Sequence, residues 1–532
     1  MRGLFINSLK LVRFILRRER INSVIWIAAL VFISAAIPPV LNEQFGRPED
    51  SAALLMTMEN PAMIAMMGPI FEGEYTIGAM YANMMLLLTM IAVCIMNIFL
   101  VVRHTRGDEE KWRMEVIRSL PVGRLANLNA VMITAVIVNA VLAVLTGLGM
   151  AALGIESISF GGSMLFGAAL GTGGLFAAVV AALFSQLSST SRGAVGYSTI
   201  VLGLLYLLRG IGDVSSEVLA MASPLGMILR VQVYVNNYWW PVFAVLLISA
   251  VIALAAYYLD STRDMDQGFI PVKPGKVHAR KYMRSSFGFA WRLMRGTLIA
   301  WVLGMFVLSA SYGAVMGDVE TFIGDNEFFQ QIIPQSPDFE QAELFMTMIN
   351  AMMAIVCAVP IIVLVFKLRN EERELRAEHI ISRSVSRYRY IAGFALMAFA
   401  VSIIAPFMSA AGLYSAAASV METPIAFGSI LKAIMVYVPA IWVMIGVSVL
   451  IVGVLPKAAA FCWAYFAFAF FSAYLGAALG MPEWMVKSTP FGWIPQLPLD
   501  EVHALTLILL SFIALVLTCI GFAFYRKRDM LT

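Results

Sequence analysis

The pattern of apolar and polar positions divides the chain into long apolar runs separated by shorter polar segments. Each run continues for about 20 residues, which is enough to cross a bilayer as an α-helix. The runs lack the alternation of apolar and polar residues that marks barrel strands. The pattern therefore predicts an all-α integral membrane protein with about twelve transmembrane helices. The predicted spans are 22–42, 79–102, 128–153, 160–184, 195–211, 238–259, 298–315, 344–366, 391–416, 425–454, 459–479 and 503–524.

Charge predicts the orientation of these spans. Charged residues make up only 13% of the 532 positions, too few to cover a soluble protein of this size. Of the 37 Lys and Arg residues, 30 fall in five polar segments that would lie on one side of the membrane, namely 1–20, 103–124, 263–295, 367–389 and 526–528. Because basic loops stay on the cytoplasmic side, we expect a multi-pass protein of the cell membrane with both termini in the cytoplasm.

Chemistry-bearing residues are sparse along the chain. Cys94, Cys357, Cys462 and Cys519 all lie in apolar runs, which is typical of core residues rather than of a disulfide set or metal site. The sequence contains no G-x-x-x-x-G-K-[ST] phosphate loop and no clustered catalytic constellation. We therefore expect no catalytic residues, no metal and no cofactor in this chain, which would not be an enzyme. Membrane lipid is an expected partner and nucleic acid is not.

Two blocks of charge interrupt the apolar pattern, RHTRGDEEKWRMEVIRSLPVGR at 103–124 and RNEERELRAEHIISRSVSR at 369–387. Pairs such as Arg106–Glu109 and Lys111–Glu115 have helical spacing, and each block carries a short apolar edge. Each block is therefore predicted to form a short amphipathic helix. The simpler alternative is a solvated loop that obeys the positive-inside rule, although that rule does not require the paired Glu residues.

The two blocks align without a gap at an offset of 263 positions, so that Arg106 matches Arg369 and Glu109 matches Glu372. Further matches occur in the same order, including an Arg-Asp-Met ending at 263–265 and again at 528–530. The sequence thus predicts two parallel repeats of six helices each. The predicted domains are a first unit 1–265, a cytoplasmic linker 266–286 and a second unit 287–532.

This order of elements resembles the permeases of ABC-2 type exporters, and in particular the polyketide-antibiotic and multidrug permeases that fuse two such units. The segment Asn60-Pro61-Ala62-Met63…Met67-Gly68-Pro69 is also similar to that group, although the second half lacks it. The resemblance implies amphipathic elbow helices at 5–20 and 283–296. It also implies cytoplasmic coupling helices at 106–120 and 369–383, which would dock two copies of a separate ABC ATPase that binds ATP and Mg²⁺. The expected docking residues are Arg106, Glu109, Glu110, Arg113, Glu115, Arg369, Glu371, Glu372, Arg376 and Glu378.

The resemblance further implies export of hydrophobic or amphipathic compounds, such as a drug, an antibiotic or a lipid. Flexible methionines suit a surface that accepts varied apolar ligands, although ordinary packing also explains them. The candidate residues of the substrate path are Met85, Asn97, Arg209, Met348 and Asn350.

Three other functions stay open at this point. The first alternative is a secondary, proton-coupled multidrug transporter, although the 103–124 loop lacks the motif of the major facilitator group and acidic residues within the spans are scarce. A membrane enzyme is the second alternative, but the spans and their ends contain no catalytic constellation. A sensory or immunity complex of the same architecture is the third, and the sequence does not exclude it.

Overall fold

The computed structural model describes residues 2–46, 51, 55, 58–59, 61–71, 74–264, 267–270, 278, 281–318, 340–382, 385–421, 423–475 and 481–528. The chain divides into two compact units, Met1–Gly275 and Lys276–Thr532. Each unit has its own cluster of buried apolar side chains.

The first unit contains eleven α-helices among its described residues. They are α1 (Ser8–Phe45), α2 (Pro61–Met67), α3 (Ile77–His104), α4 (Arg106–Glu110), α5 (Arg113–Arg118), α6 (Ala126–Ala151), α7 (Phe160–Leu187), α8 (Ser191–Ser215), α9 (Glu217–Met221), α10 (Pro224–Leu229) and α11 (Trp240–Thr262). The helix α7 is the central one, because it packs against α3, α6, α8 and α11.

The second unit contains ten α-helices among its described residues. They are α12 (Ser286–Gly313), α13 (Gln341–Val356), α14 (Ala358–Arg373), α15 (Arg376–Ile381), α16 (Arg387–Val420), α17 (Phe427–Met435), α18 (Val438–Val454), α19 (Ala459–Leu475), α20 (Glu483–Val486) and α21 (Ala504–Lys527). The closest helix pairs are α12 with α16 and α18 with α21.

In the described part of the chain, 11 helical segments are long and apolar enough to cross a membrane. They coincide with all of the predicted spans except 459–479. That span corresponds to α19, which has 17 described residues, while 476–480 lie outside the described part. Also outside are the linker residues 271–277, residues 383–384 of the second charged block, and Asn60.

The predicted elbow helices are not separate elements. Residues 8–20 are the first turns of the continuous 38-residue helix α1, and residues 286–296 likewise begin α12. Neither junction contains a proline, so nothing interrupts the backbone hydrogen bonds where the amphipathic segment meets the apolar one. An amphipathic pattern predicts which face is apolar but not where a helix ends.

The second predicted span differs between the units. In the first unit α3 is continuous, and Asn97 in its middle is fully buried. In the second unit Cys357 separates α13 from α14, and Pro360 is the third residue of α14. Pro360 stands 263 positions after Asn97. Because proline lacks the N–H that would bond to the carbonyl of Val356, it explains the interruption.

Candidate functional site

Each charged block contains a two-residue break between helices, and the second residue of the break is in the left-handed conformation. In the first block the break joins two short helices, whereas in the second block the helix before it is the 16-residue α14. Trp112 has φ 58° between α4 and α5, and Leu375 has φ 57° between α14 and α15. The two residues are 263 positions apart. Bulky residues seldom adopt this conformation, so its occurrence at matching positions is a specific feature of the two blocks.

Glu109 lies in the first block and joins it to the end of the first unit. It accepts two hydrogen bonds from Arg263, at 2.6 and 3.0 Å, and one from Arg106 at 2.6 Å. Arg124 donates to the carbonyl of Arg263 at 2.9 Å. All three side chains of the ion cluster are almost completely buried. We call Glu109, Arg263 and Arg124 the first clamp.

The second unit contains the same arrangement. Glu372 pairs with Arg528, and Arg387 donates to the carbonyl of Arg528 at 2.8 Å. We call Glu372, Arg528 and Arg387 the second clamp. Glu372 and Arg387 are each 263 positions after their counterparts, and Arg528 belongs to the second Arg-Asp-Met ending.

The acidic residue that precedes each clamp glutamate is also paired. Asp108 accepts two bonds from Arg18 in α1, at 2.7 and 2.9 Å, and a third from Arg113 at 3.1 Å. Glu371 accepts from Arg376 at 2.7 and 3.1 Å. This hydrogen bond to Glu371 raises the pKa of Arg376, so the guanidinium keeps its charge at physiological pH.

A second buried cluster joins α1 to the end of α3. Glu19 accepts from Arg103 at 2.8 Å and lies 2.8 Å from Nε2 of His104, whose side chain has no exposed area. In the second unit the residue 263 positions after His104 is Lys367, which pairs with Glu371 at 2.9 Å. At this matching position the first unit therefore uses His104 and the second unit uses Lys367 to pair with an acidic side chain.

The first block also contacts α7 and α8, two later helices of the same unit. Arg106 donates to the carbonyl of Ser185, near the end of α7, at 3.1 Å. Glu110 accepts from the backbone N–H of Ser191 at 2.8 Å, at the start of α8. A carboxylate at this position satisfies a free amide and interacts favourably with the helix dipole. The block is therefore bonded to α1, α7 and α8.

The predicted docking residues do not form a single surface. Arg106, Glu109, Glu371 and Glu372 are turned inward, and Arg369 is half-buried. The exposed members are Glu110, Arg113, Glu115, Arg376 and Glu378.

Asn97, a predicted substrate-path residue, forms side-chain hydrogen bonds inside the first unit. Asn97 and Asn139 exchange side-chain hydrogen bonds of 3.0 and 2.7 Å between α3 and α6. Gly174 of α7 packs against this pair so closely that a Cβ atom would overlap both amides. Asn97 therefore joins α3 to α6 in this structure.

Arg209 lies at the end of α8 that is opposite to the charged block. It pairs with Asp213 at 3.1 Å, and Arg230 pairs with the same carboxylate at 2.7 Å. Arg209 also donates to the carbonyl of Met66 at 3.0 Å, which holds the end of α2. Arg209 and Asp213 have no exposed side-chain area, so this cluster is an internal anchor for α2.

The other path candidates are Met85, which is half-buried, and Met348 and Asn350, which are buried in the second unit. A shallow cavity in the first unit lies beside the start of α3, but none of the five candidates lines it. Its walls include Met67, Phe71, Tyr75, Asn83, Leu229 and Gln232.

Sequence reasoning missed the clamp partners and the exposed turn residues. Arg263 and Arg528 were visible only as the repeated Arg-Asp-Met ending, and their acidic partners are 154 and 156 positions earlier. Trp112 and Leu375 carry no motif, because a left-handed backbone at a bulky residue has no sequence signal.

A family model described as "Multidrug efflux system permease Rv1217c, C-terminal domain" matches residues 11–259 and 283–526. The chain belongs to this permease family. It is 32% identical over 539 aligned positions to the "Multidrug efflux system permease protein Rv1217c" of Mycobacterium tuberculosis, covering 99% of this chain and 96% of the relative. Membership in the Rv1217c family, together with the many long apolar helices, identifies a multi-pass membrane protein.

Proposed function

We propose that this chain is the membrane-spanning permease subunit of an ATP-driven ABC exporter of the ABC-2 type that moves hydrophobic or amphipathic compounds out of the cell. The observation that carries the proposal is the clamped charged block, which occurs once in each unit of a chain related to a multidrug efflux permease along nearly its whole length. A charged block that occurs once in each unit fits a partner with two equivalent binding faces.

The contacts of the blocks support a role in transmitting force. In the first unit the block is bonded to α1 through Asp108, to α7 through Arg106 and to α8 through Glu110. Because these bonds are buried or charge-assisted, a displacement of the block would be carried to the ends of three helices. Loose, solvated loops would not couple in this way.

We propose that the two blocks are coupling helices and that each docks one copy of a separate ABC ATPase. ATP and Mg²⁺ would bind to that ATPase and not to this chain. Docking would use the exposed residues of each block, whereas the inward-facing ones hold the block on its unit.

We further propose that the two units are parallel six-helix repeats, joined by a linker near 266–286, with the charged blocks and both termini in the cytoplasm. The family model matches one range in each unit, and the clamps occupy matching positions, as a duplication requires. The concentration of Lys and Arg around the blocks supports the orientation.

The test is transport by inverted membrane vesicles that contain the chain and its genomic neighbours. We expect uptake of a fluorescent hydrophobic dye that requires ATP, stops with vanadate and survives collapse of the proton gradient. The control is a vesicle that carries the Glu115→Lys/Glu378→Lys variant, which changes one exposed residue at matching positions of the two blocks. Uptake that needs the proton gradient and not ATP would replace this proposal with the secondary transporter.

A further inference from the structure

The first charged block exposes large apolar side chains on its outer surface. Trp112 is 63% exposed, Val116 is 69% exposed and Leu120 is 59% exposed. Trp112 lies in the turn before α5, Val116 lies on α5 and Leu120 follows its end, so three large apolar side chains are exposed within nine positions. We call Trp112, Val116 and Leu120 the apolar strip. Exposed apolar groups that cluster in this way mark interaction surfaces more often than isolated ones do.

The backbone at Trp112 is strained, and its surroundings hold it in place. Its φ of 58° is unfavourable for a side chain with this bulk. On either side Asp108 and Arg113 are joined by an ion pair of 3.1 Å that closes the turn. Strained residues persist where the fold over-determines them, and they concentrate at functional contacts. In this turn the Trp112 side chain remains largely exposed.

The second unit presents a weaker version of the same surface. Leu375 has the same backbone conformation and is 50% exposed. At the position that matches Val116, however, stands the exposed His379, and Glu374 stands where the first unit has Lys111. The second surface is therefore less apolar, and its charge next to the turn is reversed.

We propose that the apolar strip is the principal docking contact for the ATPase subunit, and that the surface around Leu375 binds an identical subunit much more weakly. The inference rests on the proposed function. Tryptophan supplies binding energy more often than other residues when it fills a pocket on a partner. The flanking Glu110, Lys111 and Glu115 carry mixed charge, which suits a protein surface better than an anionic bilayer.

The decisive variant is Trp112→Gly. It removes the indole and leaves a residue that adopts a positive φ without strain, so that loss of binding cannot be attributed to a distorted turn. Leu375→Gly is the matched variant in the second unit. Trp484→Ala is the control, because Trp484 is 71% exposed and lies far along the chain from both blocks.

The experiment first purifies the full chain and identifies the ATPase that accompanies it. Binding of that purified ATPase to the full chain in nanodiscs is then measured for each variant. We expect Trp112→Gly to weaken binding about thirtyfold, Leu375→Gly about threefold, and Trp484→Ala not at all. Lys111→Glu should also weaken binding more than Glu374→Lys does.

Each outcome decides between defined alternatives. If an ATPase binds but the two glycine variants weaken it equally, the inferred inequality is wrong while the proposed function stands. If Trp112→Gly leaves ATPase binding intact, the apolar strip is not the docking contact and the inference is wrong. If no ATPase accompanies the wild-type chain, the proposed function fails, and the inference fails with it.

Discussion

Glu109 is the common acceptor for two guanidinium groups that the first unit buries, those of Arg106 and Arg263. Its own side chain is about as buried as theirs. Removing an acceptor of this kind takes away a carboxylate that lies 2.6 Å from each of two buried cations, which costs far more than the net value of the ion pairs. A residue predicted as part of a docking surface is therefore also a determinant of stability.

Replacing Glu109 by alanine should lower the free energy of unfolding by about 3 kcal/mol, because both buried arginines lose a carboxylate that lies 2.6 Å away. Thermal unfolding of the purified chain in detergent, followed by intrinsic fluorescence, measures the change. Glu115→Ala is the control, since Glu115 is exposed in the same block and its removal should change stability by less than about 0.5 kcal/mol. Equal effects of the two substitutions would contradict the clamp.

The Asn97–Asn139 pair gives a second prediction at this scale. Each single alanine variant leaves the other amide without its partner inside the bundle, so the two substitutions should not add. A double-mutant cycle should yield a coupling energy of about 0.6–1.7 kcal/mol, the range observed for bonds between membrane helices. Thermal unfolding of the four proteins provides the values. Additive effects would show that the two hydrogen bonds contribute no mutual stabilisation.

At the scale of elements, the position of α2 depends on Arg209, a residue of α8. Its end is held by the bond from Arg209 to the carbonyl of Met66, and Tyr206 donates to the same carbonyl at 3.2 Å. The charge of Arg209 is matched by Asp213 within the same cluster. A helix of 7 residues has little stability of its own, so these tertiary bonds keep it in place.

Arg209→Gln should release α2 while leaving α8 helical. We expect amide hydrogen exchange of residues 61–68 to accelerate about tenfold, since the substitution removes about 1.4 kcal/mol of anchoring. Exchange with mass-spectrometric detection of this segment is the measurement. Arg192→Gln serves as the control, because Arg192 is exposed near the other end of α8. Unchanged exchange in the Arg209 variant would show that α2 is held by other contacts.

The sequence predicted the long helices well because their length and hydropathy follow from the thickness of a bilayer. It did not predict that the elbow segments continue into α1 and α12, since amphipathicity does not mark a helix end. The sequence did not predict the hydrogen bonds of the clamps, for a different reason. Arg263 and Glu109 are 154 positions apart, and only packing of the whole unit brings them together. Pairing of the short block residues was predictable from helical spacing, as Arg106–Glu109 illustrates.

At the scale of the whole molecule, the proposed orientation has a direct test. In a cysteine-free background, Glu59→Cys and Glu115→Cys place single thiols at exposed positions on opposite sides of the predicted membrane. In intact cells a membrane-impermeant maleimide should label the first thiol only. Permeabilised cells, in which both thiols should react, are the control. Labelling of Glu115→Cys from outside would reverse the orientation.

Both clamps close within their own unit, since Arg263 precedes the linker residues 271–277 and the second clamp lies wholly after them. A gene cut at this point would leave every bond described above for the two clamps within one polypeptide. Two separate polypeptides, produced together from one operon, should therefore each reach the membrane folded. The fused chain and a pair of half-length proteins would then be interchangeable ways to encode the same subunit.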